Sequence, residues 1–380
     1  MAADKHAASL KMLTAALVVL LFTGCSEDGA SVRQFSADAY PQRLSEWGLF
    51  DYSGAQLRLT DGVEAYDLNT PLFTDYAQKL RTVWMPSSSA AQYSSDATFE
   101  FPVGTIISKT FFYPVTDTGL VRADFTWPEN TRTLSTDAVT LMETRLLVKQ
   151  ASGWDALPYV WQGDDAYLKI AGDLKMLEMS LPDGDAQTFP YIVPSRNQCA
   201  SCHATNHTTG ALKPIGPKAR HLNRGYLGRD GNQLLEWQSA GRLQNLPVLE
   251  EVAINADFTD NSQFLAARSR AYLDINCGHC HNAQGAADTS GLLLDASVES
   301  NRQLGLCKPP IAAGGGTGGR TYSIVPGEPD HSILIYRLET TDPGTMMPEL
   351  GRSLVHQEGV TLLKDWITSL DGECVEMSSD

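Results

Sequence analysis

The sequence reads "CASCHATN" at residues 199–206 and "CGHCHN" at residues 277–282. Both stretches have the form C-x-x-C-H, with two cysteines at positions i and i+3 and a histidine directly after the second one. The chain has only seven cysteines, and four of them lie in these two motifs. The first candidate functional residues are therefore Cys199, Cys202, His203, Cys277, Cys280 and His281.

Two thiols at this spacing can add to the two vinyl groups of a haem, and the adjacent histidine then becomes the proximal iron ligand. A zinc site and a redox dithiol are the alternatives. The pairs of a zinc ribbon usually lie about 15–20 residues apart, whereas Cys202 and Cys277 are much farther apart. Zinc also gives no reason for a histidine after both pairs. We therefore expect two covalently attached haem c groups.

The N-terminus has the pattern of an exported lipoprotein. Its apolar run at residues 12–22 is too short to span a bilayer but has the length of a signal-peptide core. The following Thr-Gly-Cys resembles a lipobox, which predicts a signal peptide at 1–24, lipid on Cys25 and a polar tether at 25–40. Ordinary signal-peptidase cleavage is the alternative. We expect a periplasmic protein anchored by lipid to the outer membrane of a Gram-negative bacterium.

The net charge of −16 argues against binding to nucleic acid and is compatible with a basic redox partner. Two cysteines, Cys307 and Cys374, remain after the lipid and haem positions are assigned. Because the periplasm is oxidising, we expect them to form a disulfide. Two free buried thiols are the alternative.

The hydrophobic pattern changes along the chain. Strand-like stretches rich in β-branched and aromatic residues lie at 99–114, 144–150 and 153–170. Apolar residues at helical spacing appear before the second motif and again near the end of the chain. The predicted fold is α+β with two domains: a β-rich domain at 41–250 that contains the first motif, and a mostly α-helical, cytochrome c-like domain at 260–374.

A cytochrome c domain needs a second axial ligand, usually from a loop before the last helix. The stretch "TDPGTMMPELG" lies there, and Met347 directly precedes Pro348, whose fixed φ stiffens the loop. Met347 is the predicted ligand, and Met346 is the alternative. For the first haem the distal position is open among an empty site and His221, Met142, Met176 and Met179.

Longer stretches with a recognisable pattern are distributed over residues 66–351: "YDLNTPLFTDYAQKLRTVWMP", "FEFPVGTIISKTF", "METRLLVKQASGWDALPYVWQGDDAYL", "YIVPSRNQCASCHA", "KPIGPKARHLNR", "SRAYLDINCGHCHN" and "IVPGEPDHSILIYRLETTDPGTMMPELG". These stretches resemble a family of exported proteobacterial dihaem c-type cytochromes. Family members are often encoded beside a right-handed parallel β-helix protein, which the resemblance implies as a partner. The N-terminal part also resembles β-sheet cytochromes c′ and lysine-cross-linked haem proteins, which implies an open first haem.

The function expected from these features is electron transfer between redox partners through two haems. One alternative is a haem oxidoreductase, peroxidase-like or acting on small nitrogen compounds, at an open first haem. The other is a haem-containing accessory subunit of a β-helix protein. No Ser-His-Asp arrangement, phosphate loop or nucleotide fingerprint is visible, and no catalytic side chain is predicted.

Overall fold

A computed structural model describes residues 31–123, 132–181, 185–204, 206, 208–226, 231–311 and 313–374. In this part of the chain fourteen strands form four sheets, and six α-helices follow them or lie between them. The strands are β1 (Phe50–Ser53), β2 (Gln56–Leu59), β3 (Val63–Tyr66), β4 (Gln78–Trp84), β5 (Ala91–Gln92), β6 (Ile106–Pro114), β7 (Val121–Arg122), β8 (Thr133–Ser135), β9 (Val139–Gln150), β10 (Gly153–Gln162), β11 (Asp165–Leu168), β12 (Asp173–Ser180), β13 (Ala186–Val193) and β14 (Leu243–Gln244). The helices are α1 (Arg196–His203), α2 (Ala219–Leu222), α3 (Gln233–Ser239), α4 (Leu265–Asn276), α5 (Ile333–Glu339) and α6 (Gln357–Thr368).

A six-stranded sheet in the order β11-β10-β9-β6-β4-β3 forms the centre of the N-terminal part. All its neighbouring strands are antiparallel. The two smaller sheets of three strands have the orders β1-β2-β8 and β13-β12-β7, and a short parallel pair joins β14 to β5. The strand-like stretches of the sequence at 99–114, 144–150 and 153–170 contain β6, most of β9, and the β10–β11 hairpin.

Both faces of the central sheet are buried. Because successive side chains of a strand point to opposite faces, neighbouring residues of β6 belong to different cores. Ile106 belongs to the core between this sheet and the β1-β2-β8 sheet. Its neighbour Ile107 belongs to the core beneath α2 and α3, with Leu222 and Trp237. Farther along the same face, Phe111 packs with residues of β12 and β13. The face that carries Ile107 and Phe111 is therefore covered by helices at one end and by a second sheet at the other.

The expected α+β fold with a mostly α-helical C-terminal domain is wrong. The molecule is β-rich, and the C-terminal part contains three α-helices of 12, 7 and 12 residues, α4, α5 and α6. Loops with short 3-10 turns occupy the long connections, among them the glycine-rich stretch 314–319. Glycine and proline are poor helix formers, so these connections do not extend the helices. The three helices share one apolar core, which contains Leu273, Ile335 and Leu363.

Asp75 connects the N-terminal part to the C-terminal loop that precedes α6. Its carboxylate oxygen Oδ1 accepts hydrogen bonds from the backbone N–H groups of Ser353 and Leu354, both at 2.7 Å. Tyr113 in β6 donates to the backbone carbonyl of Asp75 at 2.6 Å. The side chain is only 2% exposed. Burial raises its pKa to about 6, although the two backbone hydrogen bonds oppose the shift.

The predicted signal peptide 1–24 and the predicted lipid site Cys25 lie outside the described residues. From residue 31 the chain lies against the core between the central sheet and the β1-β2-β8 sheet. There the Phe35 and Trp47 rings are in contact, with 4.9 Å between their centroids. None of the helices that the structure describes has both the length and the apolar character needed to cross a bilayer. The predicted division between 41–250 and 260–374 stays a prediction.

We expect the Asp75→Asn variant to lose a component of the pH dependence of stability. The folded-state pKa of Asp75 is raised to about 6 from 3.8. This group therefore stabilises the fold fully below about pH 4, and that contribution of about 3 kcal/mol is lost as the pH rises through 6. Chemical unfolding of both proteins between pH 4 and 7.5 measures the difference. The exposed Asp51→Asn variant is the control, and equal slopes for Asp75→Asn and wild type would contradict the assignment.

Candidate functional site

The first motif lies on α1, directly after β13. The Ser195 hydroxyl caps the helix by accepting from the Gln198 N–H, and the Gln198 side chain accepts from the Ser195 N–H. This reciprocal pair satisfies two donors that a helix N-terminus otherwise leaves unpaired. Arg196 contacts Asp155 of β10 at 2.9 Å, which anchors the helix to the central sheet. The helix thus holds Cys199, Cys202 and His203 on one short, capped segment.

The second motif begins where α4 ends. Cys277 follows the last helical residue, Asn276. Gly278 is required here by close contacts: a Cβ atom at this position would lie 2.7 Å from the Asp274 carbonyl oxygen and 2.8 Å from the Asp295 Cα. The chain therefore turns tightly against α4 before it reaches Cys280.

Both motif histidines are held in the same way. Nδ1 of His203 lies 2.9 Å from the carbonyl oxygen of Lys213, and Nδ1 of His281 lies 3.1 Å from that of Leu292. A backbone carbonyl fixes the tautomer with hydrogen on Nδ1 and leaves Nε2 as the free lone pair, which is the usual support for a metal-ligating histidine. Burial lowers the pKa of each imidazole to about 4, so both are neutral at pH 7.

A cavity of about 380 Å³ lies next to the second motif. This volume is in the range of cofactor sites. The predicted ligand Met347 lines this cavity opposite a largely apolar wall, while Met346 is 7% exposed and does not line it. The structure thus brings Met347 to the same cavity as Cys277, Cys280 and His281, from which it is far apart in sequence.

Arg337 of α5 is a further cavity residue that sequence reasoning missed. Its Nε donates to the Thr345 carbonyl at 2.9 Å, and the guanidinium borders the cavity. A Cβ at Gly316 would lie 3.0 Å from the Arg337 Cζ, so the glycine-rich loop allows the guanidinium to lie there. A guanidinium beside an apolar cavity is suited to a carboxylate of the bound molecule. In the sequence, the glycine run was the only signal for this feature, and it does not identify Arg337 as its partner without the fold.

The side chains of the two motifs meet. Ligand atoms of Cys202, His279 and Cys280 all lie within 4.8 Å of one another. The Cys280 thiol also faces the Ser201 carbonyl at 3.5 Å, and both Ser201 and Cys202 line the cavity of the second motif. The hydrogen bond from the Cys280 thiol stabilises the Cys202 thiolate and lowers the pKa of Cys202. Nothing in the spacing of the motifs predicted this contact.

The thiols of the other motif cysteines are less acidic. Burial raises the pKa of Cys199, and it raises the pKa of Cys277 to about 12. All four motif cysteines have free thiols. The donor set fits a haem c at each motif: two unpaired thiols, one neutral imidazole with a free Nε2 and, at the second motif, a thioether across an apolar cavity.

The residues considered as distal ligands of the first haem have other surroundings. His221 Nε2 contacts the Asp274 carboxylate at 2.8 Å. Met142 and Met179 are buried in the core between the central sheet and β12–β13. Met176 is 60% exposed. These surroundings do not identify any of the four residues as the distal iron ligand of the first haem.

Cys307 and Cys374 form a disulfide with an S–S distance of 2.11 Å. The bond ties the segment after α6 to the loop that precedes the glycine-rich stretch. This loop runs past Pro310 and Ile311, which line the cavity of the second motif. The disulfide thus links the segment after α6 to a loop that borders the candidate site.

Asp274 positions α4, and with it the second motif. Its Oδ2 accepts from His221 and from the Asn255 amide, both at 2.8 Å, and its Oδ1 accepts from the Ala296 N–H at 2.9 Å. Burial is the largest single effect and opposes ionisation, but the hydrogen bonds and charges of His221, Lys218 and Asn255 together outweigh it and hold the pKa of Asp274 well below its usual range. His221 Nδ1 is buried without a partner among the described residues.

Comparison of the chain with protein-family models, with curated proteins and with solved structures gives no match.

The Asp274→Ala variant should lose about 3–5 kcal/mol of unfolding free energy, because three buried donors lose their acceptor. Urea unfolding of the full chain, with the motif cysteines in the same state, measures the loss. Asp365→Ala, an exposed change on α6, is the control and should stay within about 0.5 kcal/mol of wild type. A loss no larger than that of the control would show that Asp274 does not hold α4 in place.

Proposed function

We propose that this protein is a dihaem c-type cytochrome that transfers electrons between redox partners. The contact between the two motifs is the observation that carries the proposal. Haems attached at the two motifs would each use one of the sulfur atoms of Cys202 and Cys280, which lie within 4.8 Å of each other. Such a contact gives one cofactor direct access to the other, which is the arrangement that electron transfer needs. Haem bound at each motif supplies a one-electron iron couple.

The protein's residues set the conditions for this couple. His203 and His281 present Nε2 because Lys213 and Leu292 occupy the other ring nitrogen. A thioether from Met347 favours the reduced iron and raises the reduction potential of the second site. The apolar wall of the cavity keeps water from that site, and Arg337 offers donors to a carboxylate.

The proposal extends to the location and relatives of the protein. A disulfide between Cys307 and Cys374 is the form of these residues expected in an oxidising compartment, which supports export. With the N-terminal pattern it supports a periplasmic lipoprotein, anchored through Cys25 to the outer membrane, that belongs to the exported dihaem cytochrome family. The partners proposed are a redox protein and, by the same resemblance, a parallel β-helix protein.

A second candidate function is binding of one metal ion, such as zinc. The observation that favours it is the Cys202–His279–Cys280 group, which offers two sulfur atoms and one nitrogen. Zinc prefers this donor set. The metal site, however, uses neither His203 nor His281, and it gives no role to Met347 or to the cavity. Haem accounts for all of these features.

Mass analysis of protein from a strain competent in cytochrome maturation tests the proposal. We expect denatured, acid-acetone-extracted chains to keep the mass of two haems and to give a pyridine haemochrome. Cys199→Ala/Cys202→Ala and Cys277→Ala/Cys280→Ala chains should each keep one haem. Protein with one zinc ion per chain and no porphyrin would instead establish the metal-ion reading.

The Met347→Ala variant should lose the sixth ligand of the second haem. We expect carbon monoxide to bind this haem, the optical spectrum to change from low to high spin, and the reduction potential to fall. Met346→Ala is the matched control and should keep the wild-type spectrum and potential. Unchanged properties in Met347→Ala would rule out Met347 as the ligand.

A further inference from the structure

One face of the central sheet carries four basic side chains, Lys79, Arg81, Lys109 and Arg145, which we call the cation row. Arg81 of β4 pairs directly with Lys109 of β6, and Lys109 pairs directly with Arg145 of β9. Side chains of directly paired residues lie on the same face, about 5 Å apart. Like charges in such positions destabilise a sheet, so the row needs negative charge close to it.

The acidic partners are at the two ends of the row. Arg145 makes two hydrogen bonds to the fully buried Glu143, at 2.6 and 2.8 Å. Arg81 contacts Asp67 at 3.2 Å. Both acids bind a basic group at an end of the row, so Lys109 in the middle has no carboxylate bonded to it.

Lys109 occupies this middle position. Among the described residues, its Nζ has neither a hydrogen-bond acceptor nor an ion pair, and it lies over the Phe111 ring, 5.8 Å from the centroid. The Lys79 Nζ and the Arg145 Cζ lie over the same ring, at 5.5 and 4.4 Å. Burial, and then the charges of Arg81 and Arg145, lower the pKa of Lys109 to about 7. Lys109 is thus the free donor of the row, with Arg81 and Arg145 as its direct neighbours on the two adjacent strands.

The row lies beside the first motif. Tyr191 of β13, the strand directly before α1, donates to the Glu143 carboxylate at 2.8 Å, and the same carboxylate binds Arg145. Lys109 and Arg145 are close enough to His203 and Cys199 for their charges to act on these side chains. On either side of the row the same sheet face is covered by apolar cores. The part of this face that lies near α1 is therefore the basic part.

We propose that the cation row binds an anionic oxygen group, a carboxylate or a small oxyanion, next to the first motif. Two sources have this chemistry: a propionate of a haem attached at Cys199 and Cys202, or a free anion from solution. The propionate source depends on the function proposed above, whereas the free-anion source does not. In both cases Lys109 donates to the anion, and Arg81 and Arg145 contribute charge.

Calorimetric titration of the purified holoprotein with sodium acetate and with sodium nitrite tests the free-anion source, with sodium chloride as the control for ionic strength. Redox titration of the same protein tests the propionate source. The informative variant is Lys109→Gln, which keeps a polar side chain and removes the charge. Lys149→Gln is the matched control, because Lys149 lies on the same strand as Arg145 but over the Trp154 ring, 5.4 Å from its centroid.

If the anion comes from solution, acetate or nitrite binds the wild type, and Lys109→Gln weakens that binding about tenfold while Lys149→Gln leaves it unchanged. If the anion is a propionate, no free anion binds, and Lys109→Gln lowers the reduction potential of the first haem relative to Lys149→Gln.

The proposal is overturned if no anion binds and the potential of Lys109→Gln equals that of the control. In a chain that carries no haem, the calorimetric titration alone decides, so failure of the proposed function and failure of this proposal are distinguishable. Removal of Lys109 relieves repulsion within the sheet, and we therefore expect the variant to fold.

Discussion

The buried carboxylate of Asp274 is the interaction on which the arrangement of the two motifs depends. It lies on α4, one turn before Cys277, and accepts hydrogen bonds from three separate segments, at His221, Asn255 and Ala296. Two of these segments belong to the region that follows the first motif, and the third belongs to the loop that follows the second. A single ionised group thus fixes α4 against both regions. Because a buried charge is costly unless it is fully paired, this geometry tolerates little displacement.

The motif histidines show that the local support for a ligand is independent of the element that carries it. His203 ends a capped helix, whereas His281 lies in a turn after one, and yet each gives its Nδ1 hydrogen to a carbonyl ten or eleven residues later. A short loop folds back in both cases to place that carbonyl. The contact between Cys202 and Cys280 then follows from the position of the turn after α4 against α1. This combination favours a cofactor pair over two separate sites, and it explains why we prefer haem to a metal ion at the same sulfur atoms.

The sequence allowed prediction of features that depend on local pattern. The C-x-x-C-H motifs, the strands of the central sheet around residues 106–168, and the helices at α4 and α6 all have short-range signals. Met347 was also predictable as a cavity residue, because its position before the last helix follows chain order. The contact of Cys202 with Cys280, the place of Arg337 and the cation row were not, because each depends on pairing between segments far apart. Strand register, which puts Arg81, Lys109 and Arg145 side by side, is not encoded in any single strand.

The prediction of a mostly α-helical C-terminal part was wrong because of loops, and the same loops form part of the candidate site. The helical stripes before Cys277 and near the end of the chain are real, but the segments between them are loops, and these loops supply the cavity wall. The second motif, Met347 in the loop before α6 and Arg337 of α5 all line this one cavity, so the site is built from three parts of the chain. Loops of this length lose much conformational entropy when they become ordered. The disulfide between Cys307 and Cys374 reduces that loss at one end of the segment, and the Asp75 contacts with Ser353 and Leu354 hold the other end. The low helix content of this part is therefore a consequence of building an enclosed site from its connections.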